Sequence, residues 1–115
     1  MPITLFRSAM IVGLSIVLMN QASADSATDP ASAGAQALYT RSLAATCANC
    51  HGTLGKSVKD PSVPGLAGRP SAYLVEQMQA FKTGTREATI MHQIAKGYTD
   101  EQIKQMADYF ASQKP

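Results

Sequence analysis

Apolar positions in this chain form one solid block followed by a series of helical stripes. The block is Ala9 to Met19, apolar or weakly polar at every position. After it, Ala37, Leu38 and Leu43, with small alanines around them, predict a helix over Gly34 to Cys47. Leu74, Met78 and Phe81 then recur at i, i+4 and i+7 behind Pro70, which suits a first helical turn. Gly84 is a natural stop for that helix. A short helix follows over Glu87 to Lys96, ended by Gly97. The last helix carries the clearest punctuation. Thr99 and Gln102 form a T-x-x-Q capping box, and Ile103, Met106, Ala107 and Phe110 make one apolar stripe. Between the first two helices, Gly52 to Arg69 holds four glycines and both Pro61 and Pro64, so an irregular loop is expected. Alternating strand patterns are almost absent, and the expected class is a small all-α domain.

The opening block changes how the chain is divided. Eleven residues are too few to cross a hydrocarbon core that needs about 20. Arg7 before the block and Ala22-Ser23-Ala24 after it instead give the layout of a cleaved secretory signal over residues 1–24. Residues 25–33 (DSATDPASA) are small and polar and read as a flexible leader, leaving 34–115 as the domain. The expected location is the periplasm, with no stable membrane insertion after cleavage.

The chain has ten Lys+Arg against eight Asp+Glu. Removing Arg7 with the signal leaves nine against eight, a net of +1. Such a balance builds no basic field for nucleic acid or an anionic surface. Aromatic mass is thin: four Tyr, Phe81 and Phe110 beyond the signal, and no Trp. A domain this small often needs a disulfide, metal or cofactor to complete its core, and a largely apolar macrocycle would serve.

Cys47-Ala48-Asn49-Cys50-His51 supplies the candidate chemistry. It is the C-x-x-C-H pattern of covalent haem attachment. Two thiols three positions apart on one helical turn can each add to a vinyl group of the same porphyrin, and the next residue offers an imidazole to the iron. Three other readings fit less well. A redox-active disulfide expects a βαβ setting that the pattern lacks. A zinc site wants further ligands, and only His92 remains. A structural disulfide closing so short a loop constrains little.

The iron's sixth ligand decides the type of chemistry. Methionine opposite histidine gives a closed iron of raised potential, suited to passing electrons. Met78 and Met106 lie within apolar stripes, where methionine is usually a core residue. Met91 lies between the two best helices and is the expected ligand. Its neighbour His92 is the rival; it reads more often as a surface histidine, and as a ligand it would lower the potential.

Three stretches carry a family resemblance: LAATCANCHG at 43–52, VPGLAGRPSAYLVEQMQAFKTGTR at 63–86, and IMHQIAKGYTDEQIKQMADYF at 90–110. Together they resemble class I c-type cytochromes of the c4 and c553-like group. The IM-x-x-IAKGY segment resembles more narrowly the cytochrome subunit of flavocytochrome c sulfide dehydrogenase. The resemblance implies a class I cytochrome c fold around one covalent haem c, with Met91 as the axial methionine. It implies that the Pro64 carbonyl accepts a hydrogen bond from the proximal imidazole, and that the first and last helices pack, bringing Leu43 or nearby alanines against Ile103 and Phe110. Arg69 and Tyr73 are candidates to reach a haem propionate. Sulfide dehydrogenase cytochromes often carry two haem domains, whereas this chain has one C-x-x-C-H. The implied function is a non-enzymatic electron carrier with redox-protein partners, a flavoprotein subunit among them. The alternative is a haem protein with a labile sixth ligand, acting as gas sensor or peroxidase.

Overall fold

The computed structural model describes residues 29–115 except 57 and 61. The expected signal, residues 1–24, and the first part of the expected leader lie outside the described residues. Four helices follow: α1 (Pro30–His51), α2 (Ser71–Thr83), α3 (Met91–Lys96) and α4 (Asp100–Ala111). A single 3-10 turn, Thr53–Gly55, sits in the loop after α1. No strand occurs among the described residues, and no described helix is long and apolar enough to cross a membrane.

Helix α1 extends past the predicted span at both ends. It starts at Pro30, so residues 30–33 of the expected flexible leader are its first turn. The Asp29-Pro30 pair explains this: the Asp29 carboxylate accepts from the Ala31 N–H at 3.0 Å, and Pro30 at the first helical position needs no donor partner. At the other end the helix carries through to His51 instead of stopping at Cys47. Gly52 then breaks it, at φ 87°, a left-handed value open to glycine.

The buried stripe of α1 is also not the one that size suggests. Leu38 stays 67 % exposed. The protected positions are Thr40, Leu43, Ala44, Cys47, Ala48 and His51, a strict i, i+3, i+4, i+7 row. Alanines in that row let α4 approach closely. Helix α4 answers with Ile103, Met106, Ala107 and Phe110, all buried, on the stripe its sequence predicts. Ala44, Leu74, Ala107 and Phe110 form the core cluster, flanked by Cys47, Leu66, Val75 and Tyr109. At the rim of the seam, Gln102 Nε2 donates to the Tyr39 hydroxyl at 2.7 Å.

The remaining punctuation holds with small shifts. Pro70 stands just before α2 in extended conformation rather than inside its first turn, and Gly84 ends α2 in the left-handed region. Helix α3 begins at Met91, four residues later than the pattern predicts. The capping box of α4 is complete, with Gln102 N–H donating to Thr99 Oγ1 at 3.2 Å and Thr99 N–H to Gln102 Oε1 at 2.9 Å. Helix α2 packs on both α3 and α4.

Candidate haem site

The loop after α1 is built to fold back beneath its last turn. The Gly55 carbonyl accepts from both Leu66 N–H and Ala67 N–H, at 2.7 and 3.0 Å, which closes the loop. Gly55 has φ 75°, and a Cβ there would lie 2.5 Å from Phe110 Cδ1. The loop is then sewn to α4 by the Gly68 N–H, which donates to the Phe110 carbonyl at 2.9 Å. Pro64, inside this closed loop, is thereby carried under His51.

His51 is buried at 9 % exposure, and its Nδ1 lies 2.7 Å from the Pro64 carbonyl oxygen. A carbonyl can only accept, so Nδ1 carries the proton and the neutral ring keeps its lone pair on Nε2. The hydrogen bond thus fixes both the ring's orientation and which nitrogen is free to ligate. Pro64 was singled out only through family resemblance; from residue pattern alone it is loop punctuation.

Cys47 stands one turn before His51 and Cys50 directly before it, both unpaired thiols. Cys50 is exposed, whereas Cys47 is half-buried in the α1–α4 seam, its Sγ 3.8 Å from Met106 Sδ. Burial pushes the Cys47 thiol above its ordinary value, against a weaker downward pull from Thr46. It is therefore held as neutral S–H. Neighbouring groups do not favour the other readings: the C-x-x-C lies on a helix with no strand beside it among the described residues. No group of three His, Cys, Asp or Glu among those residues could hold a metal ion.

Met91 is the first residue of α3 and is half-buried. Met106 is a core residue, 4 % exposed, and Met78 is half-buried on α2. His92 is not the surface histidine its position suggests. It is half-buried, and its Nδ1 is buried without a hydrogen-bond partner among the described residues. Tyr73 is 43 % exposed and Arg69 is also exposed, and neither side chain has a described contact with Cys47, Cys50 or His51. Sequence reasoning missed a polar cluster beside the thiols: Thr46 hydrogen-bonds Tyr98, and Lys82 reaches both the Tyr98 carbonyl and Asp100. These residues read as ordinary surface positions in the sequence, and only their proximity in space joins them.

Two free thiols and an imidazole with its Nε2 available, all on one helical turn, are the donor set that covalent haem requires, and the residues present fit that group. A helical domain of this kind defines a haem-attachment protein. The cytochrome c family model matches residues 32–114, and the chain belongs to the cytochrome c family. It is 40 % identical over 70 residues to the cytochrome subunit of sulfide dehydrogenase from Chlorobaculum tepidum, a match covering 61 % of this chain and 62 % of that protein. It is 36 % identical over 97 residues to cytochrome c4 from Azotobacter vinelandii, covering 76 % and 46 %. It is 38 % identical over 72 residues to cytochrome c-554(548) from Halomonas halodenitrificans, covering 60 % and 86 %. The chain thus spans less than two thirds of the length of the first two. As a cytochrome c it carries electrons, and its cofactor is covalently attached haem c, one for its one C-x-x-C-H.

Proposed function

We propose that this is a periplasmic single-haem electron carrier that serves as the electron-accepting subunit of a flavoprotein sulfide dehydrogenase. Residues 1–24 direct export and are then removed. Cys47 and Cys50 would hold the haem covalently, through thioether bonds to its two vinyl groups. His51 and Met91 are the residues that would hold its iron. Bound haem supplies one-electron exchange between ferric and ferrous iron. The chain's own residues do the rest. Pro64 holds the imidazole, the α1–α4 seam shields the Cys47 thiol, and Met91 would deny the iron's remaining position to substrates.

The observation carrying this reading is the 2.7 Å contact from His51 Nδ1 to the Pro64 carbonyl, on the same helical turn as two free thiols. It leaves Nε2 as the nitrogen free to ligate, an arrangement that neither a redox disulfide nor a structural one needs. The sulfide dehydrogenase assignment is supported by the similarity to the Chlorobaculum tepidum cytochrome subunit.

Intact-mass measurement on the full chain produced in a haem-attaching host tests the cofactor and export together. The expected product lacks residues 1–24 and has gained the mass of one haem. A product without tetrapyrrole mass overturns the reading. The sensor or peroxidase alternative is separated by carbon monoxide: a methionine-ligated ferrous protein ignores it, and rapid binding favours the alternative. For the partner, the native protein is captured from periplasm. A flavoprotein that co-purifies and reduces the cytochrome on addition of sulfide is expected; reduction by no flavoprotein there removes the subunit assignment.

A further inference from the structure

We infer that Tyr98 is the positioning residue for the iron's sixth ligand, tying the short helix that begins with Met91 to the turn that carries the haem thiols; the inference rests on the ligand set proposed above. The Tyr98 hydroxyl lies 2.6 Å from Thr46 Oγ1, across 52 residues of sequence. Thr46 has one hydroxyl proton and gives it to the Leu43 carbonyl at 2.7 Å. Tyr98 must therefore be the donor, and the two bonds run in series from Tyr98 through Thr46 into the backbone of α1. Bonds in series polarise and strengthen one another. Thr46 is the residue immediately before Cys47, so the chain ends on the helical turn that presents the first thiol.

Tyr98 is held from the other side as well. Its carbonyl accepts from Lys82 Nζ of α2 at 2.8 Å. The same ammonium pairs with Asp100 Oδ1 at 2.7 Å, and Gln79 Nε2 donates to that oxygen at 3.0 Å. Helices α1, α2 and α4 thus converge on the residue two positions beyond the end of α3. Helix α3 has six residues, far fewer than a helix needs to persist by itself in water. Its position is set by what it leans on and by where its end is fastened. Helix α3 is under two turns, roughly 9 Å of axis, and Gly97 links its end to Tyr98, so freedom at the fastened end becomes movement at Met91.

The test uses the full chain matured with haem. Imidazole displaces methionine from ferric iron, and its affinity reports how firmly Met91 is held. Tyr98→Phe should bind imidazole roughly fivefold more tightly than the parent, the weight of one hydrogen bond. Thr46→Val should give the same shift, and the double variant no further one. Thr46→Ser keeps the acceptor and should return to the parent affinity. An unchanged imidazole affinity in Tyr98→Phe, even with a lowered melting temperature, overturns the inference, as does a Thr46→Ser variant that behaves like Thr46→Val. Failure of the ligand set itself looks different: the parent protein would lack the far-red methionine band, and Met91→Ala would leave the spectrum unaltered.

Discussion

The two proposed iron ligands, His51 and Met91, stand on elements of different scale. His51 ends a helix of 22 residues, is buried against the core, and is held by a carbonyl in a loop closed on Gly55 and stitched to α4. Met91 opens a helix of six residues behind Ile90, which is 61 % exposed. One proposed ligand is a fixture of the fold; the other rests on a short element fastened at its far end. The difference teaches where such a protein can be adjusted. Changes on the His51 side cost the fold, whereas changes on the Met91 side alter the strength of one bond and leave the domain standing.

That contrast is open to attack from both sides. The largest effect is expected from His51→Ala, which should abolish stable ligation and prevent accumulation of the matured protein, because haem binding and folding are coupled in so small a domain. Its accumulation with the parent spectrum would end the motif argument. Met91→Ala should leave haem attached and the protein folded. It should lower the reduction potential by a measurable part of the roughly 0.8 V span that axial ligands control, and open the iron to carbon monoxide. A potentiometric titration matching the parent would mean a different sixth ligand.

Gly55→Ala probes the fixed side without touching a ligand. It forces a β-carbon into a left-handed residue and 2.5 Å from Phe110 Cδ1. The cost should be about 2 to 5 kcal/mol of unfolding free energy, from backbone strain and overpacking together. Denaturant melts followed by circular dichroism measure it, and a loss under ~0.5 kcal/mol would show the loop to be slack.

Asp100→Asn is the mildest change and belongs to the adjustable side. Hydrogen bonds from Gln79 and Lys82 hold the Asp100 carboxyl below its ordinary value of 3.8. A carboxylate depressed on folding adds stability above its unfolded value, and that stability is lost as pH falls through the lower folded value. The parent should therefore lose a small increment of stability in acid below about that ordinary value, and Asp100→Asn should flatten that part of the profile. Because Asp100 is solvent-exposed, parallel profiles for the two proteins would show that its pairing with Lys82 does not stabilise the fold.

Some of this was legible in order along the chain. Covalent attachment needs its groups within one turn, so five consecutive letters, Cys47 to His51, display it in full. The α4 capping box and stripe are likewise local, and both appear where the pattern puts them. The start of α1 is hidden because residues 25–33 are small and polar like a leader, although Pro30 beside Asp29 is a helix opening. The buried face of α1 was hidden for a different reason. Size marked Leu38, but close packing against α4 selects the row through Ala44, and alanine sends no hydrophobic signal strong enough to show it.

Sequence by itself determined the helical class and the haem-attachment turn, because periodicity and a contiguous motif are properties of neighbours on the chain. Tertiary structure alone decided that the Nδ1 of His51 is taken and its Nε2 left free, since that follows from a carbonyl 13 residues away. It alone joined Tyr98 to Thr46 across 52 residues. A hydrogen bond is directional and short, and no pattern of residue types says which distant donor will be brought within 3 Å of which acceptor.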